Sequence, residues 1–257
     1  MSWDREFISQ DYCQPIYKHK DFPVFITNEF NFFRCVEFKD DFYEKTASSL
    51  FNGNLRKCTG RYSKLFPNQR LSYWADSATT ARAEIKKHGA GNNILTFWAY
   101  DDGASSFPML PDQSPLIIID GRKCGVQELI DKVDNNIYLT DVEQKQMESL
   151  LAENPDCLAF DSHAKEGGEN FIFFEKGFKK LALRELRLRF GRSDGGAHNF
   201  ITCASTCDYS PCIDSYGKYF IPKAKIKMDK MYLTSKEYLQ RKEIQELSHR
   251  RFREETK

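Results

Sequence analysis

The segment Cys157-Leu-Ala-Phe-Asp-Ser-His-Ala-Lys-Glu-Gly-Gly-Glu-Asn-Phe-Ile-Phe-Phe-Glu175 decides the fold class. Its two ends, Cys157 to Asp161 and Asn170 to Glu175, are short apolar, aromatic-rich runs that read as strands. Between them lie only Ser162 to Glu169, with Gly167-Gly168 supplying a turn. A connection that short joins antiparallel neighbours, because a parallel crossover needs a dozen or more residues. Working outward, Phe22 to Thr27, Phe32 to Phe38, Leu71 to Ala75, Asn93 to Tyr100 and Leu116 to Asp120 read as further strands.

Helical patterns lie between them. Asp41 to Phe51 ends before the stop signal Asn52-Gly53. Ser77 to His88 opens on a capping residue and closes on Lys86, Lys87 and His88, which suit the negative helix end. Gly125 to Val133 and Thr140 to Glu153 are two more, the second opening with the capping box Thr140-Asp141-Val142-Glu143. Lys179 to Phe190 reads both ways: Leu183 with Leu186 suits a helix, while Leu186, Leu188 and Phe190 alternate as in a strand. The expected class is α+β, with mixed or antiparallel sheets and flanking helices, rather than the regular alternation of a doubly wound sheet.

The chain has 257 residues with 40% hydrophobic content, enough for a sizeable core, and 38 Lys plus Arg against 37 Asp plus Glu. That balance speaks against a wholly basic nucleic-acid coat or an acidic disordered tail. The apolar run Pro115 to Ile119 is far too short to span a bilayer. No basic stretch followed by an apolar one opens the chain, so a soluble, cytoplasmic protein without membrane contact is expected. Eight cysteines in a chain of this size read as reduced, mostly buried thiols rather than a disulfide scaffold. G-x-G-x-x-G, a Walker loop, H-E-x-x-H and C-x-x-C are all absent, which removes the usual support for dehydrogenase, kinase and zinc-protease readings.

Three segments carry candidate chemistry. Phe32-Phe33-Arg34-Cys35 places an arginine inside an apolar strand. Gly60-Arg61-Tyr62 leads to Ser72-Tyr73-Trp74-Ala75-Asp76-Ser77 and on through Thr80-Ala81 to Glu84. Phe160-Asp161-Ser162-His163 is followed by Gly168-Glu169-Asn170 and Phe174. Arg34 and Glu84 sit in apolar surroundings, where a charge must be paired or face a cleft.

This combination resembles the RES domain, named for its Arg, Glu and Ser. The match covers about residues 30 to 190. Two positions depart from the pattern: Phe160-Asp161 stands where the family has Tyr-Pro, and His163 or Ala164 where an arginine commonly follows the serine. The resemblance implies an ADP-ribosyltransferase-like fold and a growth-inhibiting toxin of a toxin–antitoxin pair. Such a protein consumes NAD+ by breaking the nicotinamide–ribose bond, as glycohydrolase or phosphorylase, with NAD+ as substrate and no cofactor required. It further implies Glu84, Arg61 and Ser162 as catalytic residues and Arg34, Tyr73 and Asn170 as NAD+-binding residues.

The chemistry fits those residue types. A carboxylate stabilises an oxocarbenium-like centre, and guanidinium forks grip a pyrophosphate. Tyr73 would stack on the nicotinamide or ribose, and Ser162 would orient the amide or ribose. On the same reading, residues 1–28 form an N-terminal extension, 29–192 the catalytic domain, and 193–257 a Cys-containing connector with a basic helical extension. The implied alternatives are an ADP-ribosyltransferase with a protein acceptor and a non-catalytic binding or defence module of the same fold. An antitoxin covering the cleft is an expected partner.

Plainer readings exist for each residue. Arg34 could pair with Glu37, Arg61 could be a solvated surface charge, and Glu84 could pair with Lys87 one helical turn on. Tyr73 could belong to the core and Ser162 to a hairpin turn. His163 beside Ser162 invites a nucleophile–base pairing, but strand alternation would turn the two to opposite faces. His198, Cys203, Cys207 and Cys212 offer four zinc-capable ligands without the short knuckle spacing, and reduced thiols are the favoured reading. Residues 223–257 carry eleven Lys/Arg against six Asp/Glu. That tail reads as a solvated helix whose Leu239, Ile244, Leu247 and Phe252 dock on the body or on a second subunit, rather than a nucleic-acid contact.

Overall fold

Along β9 (Glu169–Phe174), Phe171 and Phe173 enter one hydrophobic cluster while Ile172 and Phe174 enter another. Successive strand side chains point to opposite faces, so a strand buried on both sides lies at the centre of a sheet covered twice. The computed structural model describes residues 17–19, 22–27, 31–45, 47–101, 116–190 and 199–205.

The remaining strands are β1 (Tyr17–His19), β2 (Phe22–Thr27), β3 (Asn31–Glu37), β4 (Arg56–Lys57), β5 (Arg70–Ala75), β6 (Ile94–Asp101), β7 (Leu116–Asp120), β8 (Cys157–Asp161), β10 (Leu181–Phe190) and β11 (Asn199–Ser205). They join in the order β1-β2-β7-β8-β9-β5-β3-β6-β10-β11, with β4 alongside the start of β5. Every pairing is antiparallel except β7 with β8. That one parallel pair is reached through the crossover that carries α3 (Val126–Asp134) and α4 (Asp141–Ala152). The other helices are α1 (Ala47–Asn52), α2 (Ala78–Lys87) and α5 (Glu175–Phe178). The α+β expectation holds at this level, and the sheet extends beyond 29–192 at both ends through β2 and β11.

One segment left open by the sequence is resolved, and one differs from its reading, each for a physical reason. Leu181 to Phe190 is a strand, and its ambiguity came from a bulge: the register against β6 shifts between Leu183 and Glu185. The extra residue lets Leu183 and Leu186, three apart, both bury in the same cluster, which imitates helical spacing. The expected helix from Asp41 to Phe51 is instead a 3₁₀ turn, Asp40–Glu44, an extended Lys45, and then α1. Phe42 and Phe51 both pack against one cluster. Nine residues apart on one continuous helix they would point about 180° from each other, so the backbone breaks between them.

One face of the sheet carries a single cluster built on Phe32, Trp74, Phe97, Phe171 and Phe173, covered in part by Leu50 and Phe51 of α1 and Phe178 of α5. The other face carries two. Under α3 and α4 lie Leu71, Ile119, Leu158, Phe160 and Ile172. Under α2 lie Phe33, Cys35, Ala75, Ile94 and Trp98, where the small buried residues Ala78 and Ala81 let the helix approach closely. Leu71 and Ala75 share one face of β5 yet belong to different clusters, and Tyr73 lies between them. The same place is a seam in the sheet, because β3 and β5 pair only at Phe33 with Ala75.

A cleft over the β3–β5 seam

The gap between the two clusters is a cleft of about 490 Å³, within the range of small-molecule sites. Its first wall is α2. Ser77 accepts a hydrogen bond from Thr80 N at 3.1 Å and so fixes where the helix begins. From that start Ala81, Glu84, Ile85 and His88 fall on one face at helical spacing, and all four line the cleft.

Glu84 is the centre of a small network. Its Oε1 accepts from Ser162 Oγ at 2.6 Å and from Asn170 Nδ2 at 2.7 Å. Among the described residues Glu84 has no cationic partner. Ser162 Oγ in turn accepts from the backbone N–H groups of Ala164 and Lys165, both at 3.2 Å, which is the local geometry of a serine turn. Ser162 N donates to Gly168 O at 2.8 Å, so the loop closes on itself. Gly168 is needed there: a Cβ would stand 2.8 Å from the Thr80 side chain of α2. The loop and the helix therefore touch, and their polar side chains meet.

Arg34 reaches the cleft from the seam. Its Nε donates to Asn54 Oδ1 at 3.0 Å and its Nη1 to the Tyr73 carbonyl at 2.5 Å. With only one β3–β5 pair, Tyr73 O needs a donor, and the guanidinium supplies it. Burial, reinforced by nearby Arg56, lowers the Arg34 pKa to about 10. Among the described residues no carboxylate pairs with it. The alternative partner, Glu37, instead accepts from Gly91 N at 2.7 Å. A fixed, uncompensated cation therefore lines the cleft.

The opposite wall comes from Gly60, Tyr62, Asp134 and His163. The Tyr62 and Tyr73 rings stack with centroids 5.8 Å apart and planes at 27°. Burial raises the Tyr73 phenol well above its ordinary range, so it stays protonated. Lys87 adds positive charge at the end of α2, and His88 lines the cleft beside it.

Of the six residues singled out from sequence, Arg34, Tyr73, Glu84 and Asn170 line this cleft, and Ser162 is bonded to Glu84. The Arg61 side chain lies outside the described residues, although its backbone opens the 3₁₀ turn Arg61–Lys64 and stands between cleft-lining Gly60 and Tyr62. Among the described residues no hydrogen bond joins Ser162 and His163, although strand alternation is not what separates them. β8 ends at Asp161, so Ser162 and His163 sit in a turn where alternation has no force. His163 Nε2 lies 2.8 Å from Asp131 Oδ1, and Nδ1 lies 3.2 Å from Asp134 Oδ2. These contacts tie the Ser162 loop to α3. Tyr62 and His163 stood in the candidate segments without a role, and Asp134 was missed because only tertiary packing brings it to the site; the aspartates at positions 131 and 134, one helical turn apart, were the available signal.

Cys203 is buried in the large cluster, while His198, Cys207 and Cys212 lie outside the described residues. Among the described residues no group of three His, Cys, Asp or Glu is arranged to hold a metal ion. In the same set no helix is long and apolar enough to cross a membrane. Compared with known proteins, the chain matches no family model and no curated protein.

Proposed function

We propose that this cleft binds NAD+ and breaks its nicotinamide–ribose bond, in an ADP-ribosyltransferase-like arrangement. The observation that carries the reading is the Glu84 carboxylate, held by Ser162 and Asn170 in an aromatic-walled cleft that also contains Arg34, which has no carboxylate partner among the described residues. The RES-like motif residues support the same reading.

In this reaction the C1′–N bond breaks with its electron pair leaving on nicotinamide, which departs as a neutral base. Positive charge develops on the ribose, and a preorganised carboxylate opposite it lowers the barrier. Ser162 and Asn170 occupy Glu84 Oε1 and leave Oε2 without a hydrogen bond among the described residues. Arg34 provides the counter-charge for the pyrophosphate. The Tyr62–Tyr73 stack gives the nicotinamide or ribose an aromatic surface. A water or phosphate oxygen then bonds to C1′, and the attacking group gives up its proton to solvent when it is water.

The test is release of free nicotinamide from NAD+ by the purified chain, with and without phosphate. Glu84→Gln keeps a hydrogen-bonding shape but removes the charge. Its rate should fall about 10²–10³-fold, the scale measured for a single preorganised group. An unchanged rate in Glu84→Gln, or no nicotinamide from the unaltered chain, would overturn the proposal. Label passing from NAD+ to a macromolecule, rather than to water or phosphate, would identify a transferase using the same cleft. A growth-inhibiting toxin with a protein antitoxin is the biological setting this reading suggests.

A further inference from the structure

On the face of the sheet opposite the cleft, a second hollow of about 250 Å³ lies between α1, the 3₁₀ turn before it, and strands β3 and β6. Its lining is of two kinds. Phe42, Leu50 and Phe97 are apolar, while Lys45, Asn54 and Arg56 are polar or cationic.

The charges in it are unbalanced. Lys45 meets Asp41 Oδ2 at 2.6 Å, in an exposed pair that is worth little, and its Nζ lies 5.1 Å from the centre of the Phe42 ring. Arg56 donates from Nε to the Gly53 carbonyl at 2.8 Å and has no carboxylate among the described residues. Arg34, just behind, also lacks one, and Arg56 adds to what lowers its pKa.

Asn54 gives an independent indication. The residue is 3% exposed, and its Nδ2 is buried with no hydrogen-bond acceptor among the described residues. Its Oδ1 is held by Arg34 Nε, which settles the orientation of the amide and leaves Nδ2 as the unused end. A buried donor without an acceptor costs about 1–3 kcal/mol, so an acceptor supplied from outside would be bound with advantage.

We infer that this pocket is a second ligand site, distinct from the cleft, for a small organic oxyanion: a negatively charged head met by Arg56, Lys45 and the Asn54 amide, and a compact apolar body against Phe42, Leu50 and Phe97. The two-part lining argues for both halves of that ligand. An inorganic ion would leave the aromatic wall unused, and a neutral apolar molecule would leave the cations unmatched.

Phenylphosphonate is a direct probe, titrated by calorimetry into the full chain, with inorganic phosphate and phenol as its separate halves. It should bind more tightly than either half. Arg56→Gln and Lys45→Gln change exposed side chains and keep the fold, which an unchanged near-ultraviolet dichroism spectrum verifies. Each should weaken phenylphosphonate about tenfold or more, as expected for losing a charge-assisted contact. Glu84→Gln should bind it as the unaltered chain does. The inference fails if no binding is seen, if phenol binds as well, or if both pocket variants bind normally. Loss of binding in Glu84→Gln would also overturn it, by placing the anion in the cleft. None of these readings depends on NAD+ chemistry.

Discussion

Ser162 shows how one side chain can serve both loop and site. Its hydroxyl accepts two backbone N–H groups of its own turn while donating its proton to Glu84. Ser162→Ala should therefore lower the rate of nicotinamide release about ten- to a hundredfold, the value of one hydrogen bond to a charged group. Binding of NAD+ should change much less, and equal losses in rate and binding would argue for collapse of the loop instead. Asp156 is the structural counterpart. It is fully buried, accepts from Lys180 Nζ at 2.5 Å and from Ile117 N at 3.0 Å, and lies 3.4 Å from Lys176 Nζ. Asp156→Ala leaves a partly buried lysine facing an apolar hollow. A loss of about 3–5 kcal/mol is expected by urea unfolding, the scale for breaking one side of a buried ion pair. A loss below about 1 kcal/mol would mean that Lys180 escapes to solvent.

At the level of elements, α4 was legible because its start is written locally. Thr140 and Glu143 form the expected capping box, and Glu143 also meets Lys132 of α3. The bond from Lys132, then those from Thr140, pull the Glu143 carboxyl from 4.5 down to about 2. A lowered folded-state pKa means the contribution is complete above pH 4.5 and disappears as the pH falls toward 2. The urea midpoint of the unaltered chain should therefore drop between those values by more than that of Glu143→Gln, and parallel pH curves would refute the assignment. β10 was not legible for the opposite reason. Its bulge breaks the alternation, and a bulge is selected by the partner strand rather than by the residues that form it.

Across the whole molecule, the seam between β3 and β5 governs both the shape of the sheet and the place of the cleft. One strand pair, Phe33 with Ala75, joins the two halves, and Arg34 spans the opening beside it. Arg34→Met strands the Tyr73 carbonyl and Asn54 Oδ1, at about 1–3 kcal/mol for each acceptor left buried. Its urea midpoint should fall well below that of Glu84→Gln, which breaks no contact between strands. Equal midpoints would show that the seam does not depend on the guanidinium. Arg34→Lys should recover little, because a point charge cannot serve two acceptors in the fork geometry.

What the sequence determined by itself was local: the identity of most strands and helices, the caps at Ser77 and Thr140, and the α+β class, all of which follow from side-chain period and neighbouring donors. It also marked Arg34 and Glu84 as charges in apolar surroundings, whereas Tyr73, Ser162 and Asn170 were singled out by the motif resemblance alone. Only the tertiary structure decided that Glu84 meets Ser162 and Asn170, residues 78 and 86 positions away, that His163 faces the same cleft, and that Arg34 spends two of its donors inside the seam. Such contacts depend on strand order and helix approach, which are set by long-range packing of three clusters, and no window along the chain contains that information.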